Sequence, residues 1–131
     1  MYNENLKKHN FENVKAWQSA RQFRKNIYKI TKNFPKEELY CLTSQIRRAA
    51  ISVHSNIAEG YGRYNFQENI QFCRIARGSL NEVLDQLYIA LDEKYISEEI
   101  FNNLYREGRN VEVDINGYIG FLKTQQEKYK K

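Results

Sequence analysis

The sequence is poor in the residues that several classes of protein depend on. Its 131 residues include one proline, six glycines, two cysteines and two histidines. So few turn-forming residues disfavour a β-sandwich or barrel, which must turn often. Cys41 and Cys73 lack the spacing of a zinc site or a disulfide framework, so we expect both to be packing residues. His9 and His54 have no second ligand type three or four residues away, and we expect neither a metal nor a cofactor.

Long apolar runs are also missing. No segment approaches the roughly 18 apolar residues of a membrane span, and the first residues lack the apolar core of a signal peptide. We therefore expect a cytoplasmic protein with no membrane partner. The length suits one domain with a core of its own. We predict a mobile leader over residues 1–12, a helical bundle over 13–126 and a frayed basic tail over 127–131.

The sequence does have strong helical periodicity. Four long segments carry apolar residues at steps of three and four, which is typical of amphipathic helices. The first helix is predicted over Lys15 to Asn33, with Asn13 as its N-cap and Pro35 just beyond its end. Four such helices joined by short connections predict an all-α fold, an antiparallel up-down-up-down four-helix bundle.

Local signals also predict the ends of the later helices. Gly60 and Gly62 are predicted to stop the second helix. Asn65 is suited to cap the third helix and Ser97 to cap the fourth, because their side chains can accept hydrogen bonds from free backbone amides.

The second and third helices are apolar on a second side. Ile51 and Ala58 lie away from the main apolar face of the second helix, and Ile75 and Ile89 away from that of the third. A bundle helix that faces water needs only one apolar stripe. Two interpretations stay open, namely scattered surface apolar residues and self-association through these second faces into a homo-oligomer.

The positive charge is concentrated near the start of the chain. Residues 1–36 hold nine Lys or Arg and two Glu. Five of these cations follow one another on one side of the first helix, opposite its apolar face, and we call them the basic ridge: Arg21, Lys25, Lys29, Lys32 and Lys36. Such a line of cations can neutralise successive phosphates of RNA or DNA. The alternative is an ordinary solvated helix face.

Polar residues border the apolar faces of the second and third helices, and we expect them to form a structural network. They are Arg48, Asn56, Glu59, Arg77 and Glu82. A Glu59–Arg77 or Arg48–Glu82 pair would satisfy them and fix the register between helices or between subunits. Catalysis by Glu59 as a general acid or base is the competing interpretation, and no nucleophile or second carboxylate is placed with it by sequence.

Aromatic residues offer a further possible nucleic-acid contact. The chain has one tryptophan and ten tyrosines. Trp17, Tyr40, Tyr61 and Tyr64 are suited to stack on bases, but tyrosine serves equally well at core borders and subunit contacts.

Three separated segments resemble one known family. The run from Leu42 to Arg63 (LTSQIRRAAISVHSNIAEGYGR) is similar to the signature of the small four-helix-bundle proteins encoded in 23S rRNA intervening sequences. The opening FENVKAW and the later IARGSLNE match the same pattern in order. One departure is His54, where many relatives carry proline. The matching positions include eight polar or glycine residues with architectural roles in the family: Gln45, Arg47, Arg48, Asn56, Glu59, Gly60, Ser79 and Glu82.

The resemblance implies a bacterial, non-enzymatic protein that assembles as a ring-shaped homopentamer. It also implies kinship with the accessory proteins of retroelements, which associate with nucleic acid and a reverse transcriptase. Our leading hypothesis is therefore a homo-oligomeric bundle that binds RNA or DNA through the basic ridge, without base-specific readout. The alternative is a scaffold that holds a reverse transcriptase or another protein and has no physiological nucleic-acid ligand.

Overall fold

A computed structural model describes residues 10–129 and shows a four-helix bundle without strands in that range. The helices are α1 (Lys15–Thr31), α2 (Ser44–Tyr61), α3 (Phe66–Asp92) and α4 (Glu98–Lys128). Neighbours in the chain pack on each other, and α1 also packs on α4, which closes the bundle. The all-α prediction is confirmed.

The apolar stripes of the four helices meet in one core. Phe23 and Ile27 of α1, Leu80 of α3 and Ile115 of α4 are completely buried. The helical spacing of these residues puts them on the inner face of each helix, where burying a side chain of this size contributes about 1.5–3 kcal/mol. Cys73 is also buried in this core, as predicted, whereas Cys41 is exposed.

The helix α1 begins at Lys15, as predicted, but its cap differs from the prediction. Val14, not Asn13, is the N-cap residue, and it offers no side-chain hydrogen bond. A short 3₁₀ turn over Phe11–Asn13 precedes it and includes the last two residues of the predicted leader. Phe11 packs edge-on against Trp17, with 5.1 Å between ring centroids. Residues 1–9 of the predicted leader lie outside the described residues, as do residues 130 and 131 of the predicted tail.

Between α1 and α2 the chain forms two short turns that the periodicity did not predict. A 3₁₀ turn over Lys36–Glu38 follows Pro35. It leads into a π-helical turn over Leu39–Thr43, inside which Tyr40 leaves helical geometry. The Glu38 carboxylate accepts the Tyr95 hydroxyl at 2.7 Å, which ties this connection to the one between α3 and α4.

The glycines at the end of α2 have separate roles. Gly62 is the C-cap, as predicted, but the helix continues through Gly60, so the predicted stop there is wrong. A Cβ on Gly60 would lie 2.8 Å from both Asn69 Oδ1 and Phe72 Cβ of α3. Such distances are too short for carbon, so Gly60 allows the backbone of α2 to approach α3 closely.

The caps of the last two helices are confirmed. Asn65 Oδ1 accepts the backbone N–H of Glu68 at 2.9 Å, and Ser97 Oγ accepts that of Ile100 at 3.1 Å. Both bonds satisfy amides that the helix itself leaves free.

Candidate nucleic-acid interface

The basic ridge lies on the outer surface of α1 and in the turn that follows. All five of its cations, Arg21, Lys25, Lys29, Lys32 and Lys36, are exposed. Lys36 belongs to the 3₁₀ turn and not to α1, so the ridge continues past the end of the helix. From Arg21 to Lys32 the helical rise of 1.5 Å per residue gives a length of about 16 Å.

No ion pair between residues of the described range 10–129 neutralises this ridge. Within residues 10–129 the ion pairs join Lys15 to Asp114, Arg63 to Glu59, and Arg109 to Glu112. None of them includes a ridge cation. Among the described residues, the ridge therefore presents exposed cations without an ion-pair partner along α1 and the turn after it.

A second group of cations lies on the α2 side of the ridge. The ring of Tyr28 in α1 contacts two guanidinium groups. The Cζ atom of Arg24 lies 5.3 Å from the ring centroid, and the Cζ atom of Arg47 lies 4.8 Å from it. Arg24 also donates through Nε to His54 Nε2 of α2 at 3.3 Å. These contacts hold Arg24 and Arg47 in place, whereas the neighbouring lysines of the basic ridge have more flexible side chains.

The surroundings of His54 lower the pKa of its imidazole. Burial, followed by the charges of Arg24 and Arg21, lowers the pKa of the imidazole to about 4. The ring is therefore neutral at physiological pH, which leaves its Nε2 free to accept the hydrogen bond from Arg24. The ring of Trp17 contacts it edge-on, with 6.2 Å between centroids.

Sequence reasoning missed the part played by Arg24 and Arg47 in this surface. The spacing of four between Arg24 and Tyr28 was a usable signal, since side chains so placed meet on a helix. Arg47 had no such signal. Its contact with Tyr28 depends on how α2 is rotated against α1, which no local pattern specifies.

The polar residues expected to form a network are not joined to one another within a single chain. Glu59 pairs with Arg63 at 3.7 Å, and Arg77 donates to Asn116 Oδ1 at 2.7 Å. The Glu82 carboxylate accepts from Gln86 at 3.3 Å, and Arg48 is exposed. Neither a Glu59–Arg77 nor an Arg48–Glu82 pair forms inside the protomer, and their pairing between subunits stays a prediction.

Asn56 is the member of that set with a clear contact at the α2–α3 junction. Its amide donates to both the carbonyl and the hydroxyl of Ser52, each at 2.8 Å. The Ser52 hydroxyl also lies 2.8 Å from that of Ser79 on α3. Small hydroxyl side chains thus connect α2 and α3 where a larger side chain would hold them apart.

The aromatic candidates are dispersed. Tyr40 and Tyr64 are about nine-tenths exposed, at 91% and 90%, in the connections at the two ends of α2. Trp17 and Tyr61 are half-buried. Trp17 is the candidate that adjoins the ridge, since Arg21 lies 5.6 Å above its ring.

The second apolar faces of α2 and α3 are open to solvent in the single chain. Ile51 is 38% exposed, and Ile75 and Ile89 are each 43% exposed. Ala58 is half-buried. These side chains leave apolar surface available for contact with another molecule.

Two further properties concern metals and membranes. Within the described residues, no three His, Cys, Asp or Glu side chains are grouped closely enough to hold a metal ion. None of the helices over residues 10–129 combines the length and apolar character required to cross a bilayer.

The geometry thus defines an antiparallel four-helix bundle with one basic side. Residues 12–117 match the 23S rRNA-intervening sequence protein family. Because this range is most of the chain, the protein belongs to that family, and the resemblance carried by the three sequence segments is confirmed.

A solved structure from Bacteroides thetaiotaomicron, a protein with unknown function from the S23 ribosomal protein family, shares the fold with a TM-score of 0.74. The two sequences are 20% identical, and the similarity covers 80% of this chain and 95% of the other. A search of curated proteins found no match. Neither the family description nor the description of the relative indicates an enzymatic activity.

Proposed function

We propose that this protein is a non-enzymatic binder of RNA or DNA that contacts phosphates through the basic ridge and does not read base sequence. The observation that carries the proposal is that all five ridge cations are exposed and none is ion-paired within residues 10–129. A continuous line of free cations attracts a polyanion and releases the ions condensed on it, which drives binding.

The neighbouring arginines support the same function. Arg24 and Arg47 flank Tyr28 on the side of α1 that faces α2. Arginine presents a planar set of donors that matches a phosphate, and fixing it in advance lowers the entropic cost of binding. The positive surface is therefore wider than the ridge and partly preorganised.

Self-association is the second part of the proposal. We infer that copies of the chain contact one another through the apolar surface of Ile51, Ile75 and Ile89, and that the assembly is a homopentamer as the family resemblance implies. Burying these side chains would remove apolar area from water, at a gain of about 25 cal/mol per Å². Repeating the ridge on several copies would raise the effective concentration of cations along one nucleic acid.

Reversing the charge of the ridge tests the binding function. In the triple variant Lys25→Glu, Lys29→Glu and Lys32→Glu, we expect loss of RNA and DNA retention at moderate salt, measured by gel shift. Helical content and oligomeric mass should stay the same, because all three side chains are exposed.

A matched triple variant separates the ridge from net charge. Lys94→Glu, Arg106→Glu and Lys123→Glu change the charge by the same amount at exposed positions that belong neither to α1 nor to the basic ridge. We expect this control to retain most of the binding. Equal retention by both triple variants would contradict a specific role for the ridge and favour the alternative, a scaffold for another protein.

A further inference from the structure

A small cavity lies where the basic ridge ends. Its volume is about 160 Å³, and it opens between the C-terminal end of α1, the following turns and the start of α2. Two ridge cations, Lys32 and Lys36, line it together with Arg47 of α2. Cations from the C-cap of α1, from the 3₁₀ turn and from α2 therefore line one concave site.

Arg47 is held in a fixed orientation at this cavity. Its Nε donates to Thr31 Oγ1 at 2.8 Å, and its guanidinium lies 4.8 Å from the Tyr28 ring centroid. The Thr31 hydroxyl is almost completely buried and donates in turn to the Ile27 carbonyl at 2.8 Å. The two terminal nitrogens of Arg47 make no hydrogen bond within residues 10–129, so four N–H donors remain for a ligand.

The remaining walls strengthen the attraction for an anion. Phe34, Pro35 and Leu39 supply apolar surface around the cavity. Charges interact more strongly beside apolar groups than in open water. The C-terminal end of α1 contributes partial negative charge equivalent to about half an electron, which three full positive charges outweigh.

We propose that this cavity binds one phosphate group, and that its natural occupant is a backbone phosphate of the nucleic acid that runs along the basic ridge. The inference rests on the proposed function and adds to it one site at which a single phosphate of the strand is bound in a defined position. The ridge attracts the strand over its whole length, whereas the cavity would hold a single phosphate by paired hydrogen bonds from Arg47.

A change that keeps the charge tests the cavity separately from the ridge. In Arg47→Lys the positive charge remains, but a lysine cannot bond to Thr31 and present paired planar donors at the same time. The readout is fluorescence anisotropy of a labelled 20-nucleotide single-stranded RNA. We expect affinity to fall about five-fold or more, in keeping with the loss of one charge-assisted bidentate contact.

Arg48→Lys is the matched control. Arg48 is the next residue of α2, is exposed and does not line the cavity. We expect affinity to stay within about two-fold of the unmodified protein, since no fixed geometry is lost there. Equal affinities for Arg47→Lys, Arg48→Lys and the unmodified protein would overturn the phosphate cavity while leaving the proposed function in place.

A second variant covers the case in which Arg47→Lys weakens the fold. Lys36 is exposed in the turn, so Lys36→Gln should leave thermal unfolding unchanged. Removing this cation should reduce the slope of log affinity against log salt by about 0.7, the value for one phosphate on a single strand. An unchanged slope would count against Lys36 as part of the site.

A titration with inorganic phosphate tests whether the cavity binds phosphate in the absence of nucleic acid. The probe is the NMR signal of the Arg47 Nε–H group, titrated with phosphate and with chloride at equal ionic strength. We expect a saturable shift with phosphate alone. If the RNA does not bind at all, the proposed function fails, and this titration then decides the cavity: a saturable shift supports a phosphate site, and no shift overturns it.

Discussion

The two flanks of α2 carry side chains of opposite kinds. The flank toward α1 has Arg47 and His54, long or ring-shaped groups that contact Tyr28 and Arg24 near the surface. The flank toward α3 has Ser52 and Gly60, small groups that permit close approach. One helix therefore contributes to a charged surface on one side and to a tightly packed junction on the other.

This difference separates stability from binding. The α2–α3 junction leaves little room for added atoms, so substitutions there should act mainly on folding. The α1–α2 surface is open, and substitutions there should act mainly on the affinity for nucleic acid. A substitution at the α2–α3 junction that changed only affinity, or one at the α1–α2 surface that changed only stability, would contradict this division.

The largest effect is expected inside the bundle. Ile57 of α2 is completely buried, and Ile57→Ala should lower the free energy of unfolding by about 2–5 kcal/mol through lost burial and a cavity. Ile51 lies on the same helix but is 38% exposed in the single chain, so Ile51→Ala should cost less than about 1.5 kcal/mol when unfolding is measured on the dissociated protomer, where no contact between copies contributes. Chemical denaturation of both variants checks the difference. Equal losses would show that the outer face of α2 is packed as tightly as its inner face.

The next effect concerns glycine at the α2–α3 junction. Gly60→Ala places a carbon 2.8 Å from Phe72 Cβ, and we expect destabilisation of about 1–3 kcal/mol. Gly78→Ala in α3 meets no atom within 4 Å and should stabilise the protein by about 0.5–1 kcal/mol. Thermal unfolding of the two variants gives the comparison. A stabilising Gly60→Ala would mean that the helices do not approach there as closely as described.

The smallest effect is a pH dependence on the α1 side. The pKa of His54 is lowered to about 4 in the fold, mainly by burial, against 6.5 for the free side chain. As the pH falls, the imidazole is therefore protonated in the unfolded chain before it is protonated in the folded one. The contribution of neutral His54 to stability is present above pH 6.5 and is lost as the pH falls toward 4. We expect a decline of about 1–2 kcal/mol, allowing for the partial exposure of the ring to solvent.

His54→Gln should remove this part of the pH dependence. Glutamine keeps an acceptor for Arg24 but does not titrate. Unfolding free energies of both proteins between pH 4 and 7 make the measurement. If the two curves run parallel, the imidazole is not held neutral by its surroundings.

Much of the fold could be predicted from local chemistry. The spacing of Phe23 and Ile27 placed them in the core, and Asn65 and Ser97 cap their helices through hydrogen bonds three residues away. These features depend on neighbours in the sequence, which is why periodicity and capping rules identified them.

What escaped prediction depends on contacts between helices. Gly60 looked like a helix stop, but its role comes from the position of α3. The bond from Arg47 to Thr31 requires a particular rotation of α2 against α1. The line from Arg21 to Lys32 was predictable along the first helix, but Lys36 lies in the turn beyond it. The cavity at the end of this line combines residues of α1, the following turns and α2, which only the folded chain brings together.

Lysine footprinting tests the central claim most directly. The protein is acetylated with and without a saturating single-stranded RNA, and the modification of each lysine is measured by mass spectrometry. We predict protection of Lys25, Lys29, Lys32 and Lys36, with Lys94 and Lys123 modified equally in both samples. Ridge lysines that react to the same extent with and without bound RNA would contradict the assignment of this surface to nucleic-acid binding.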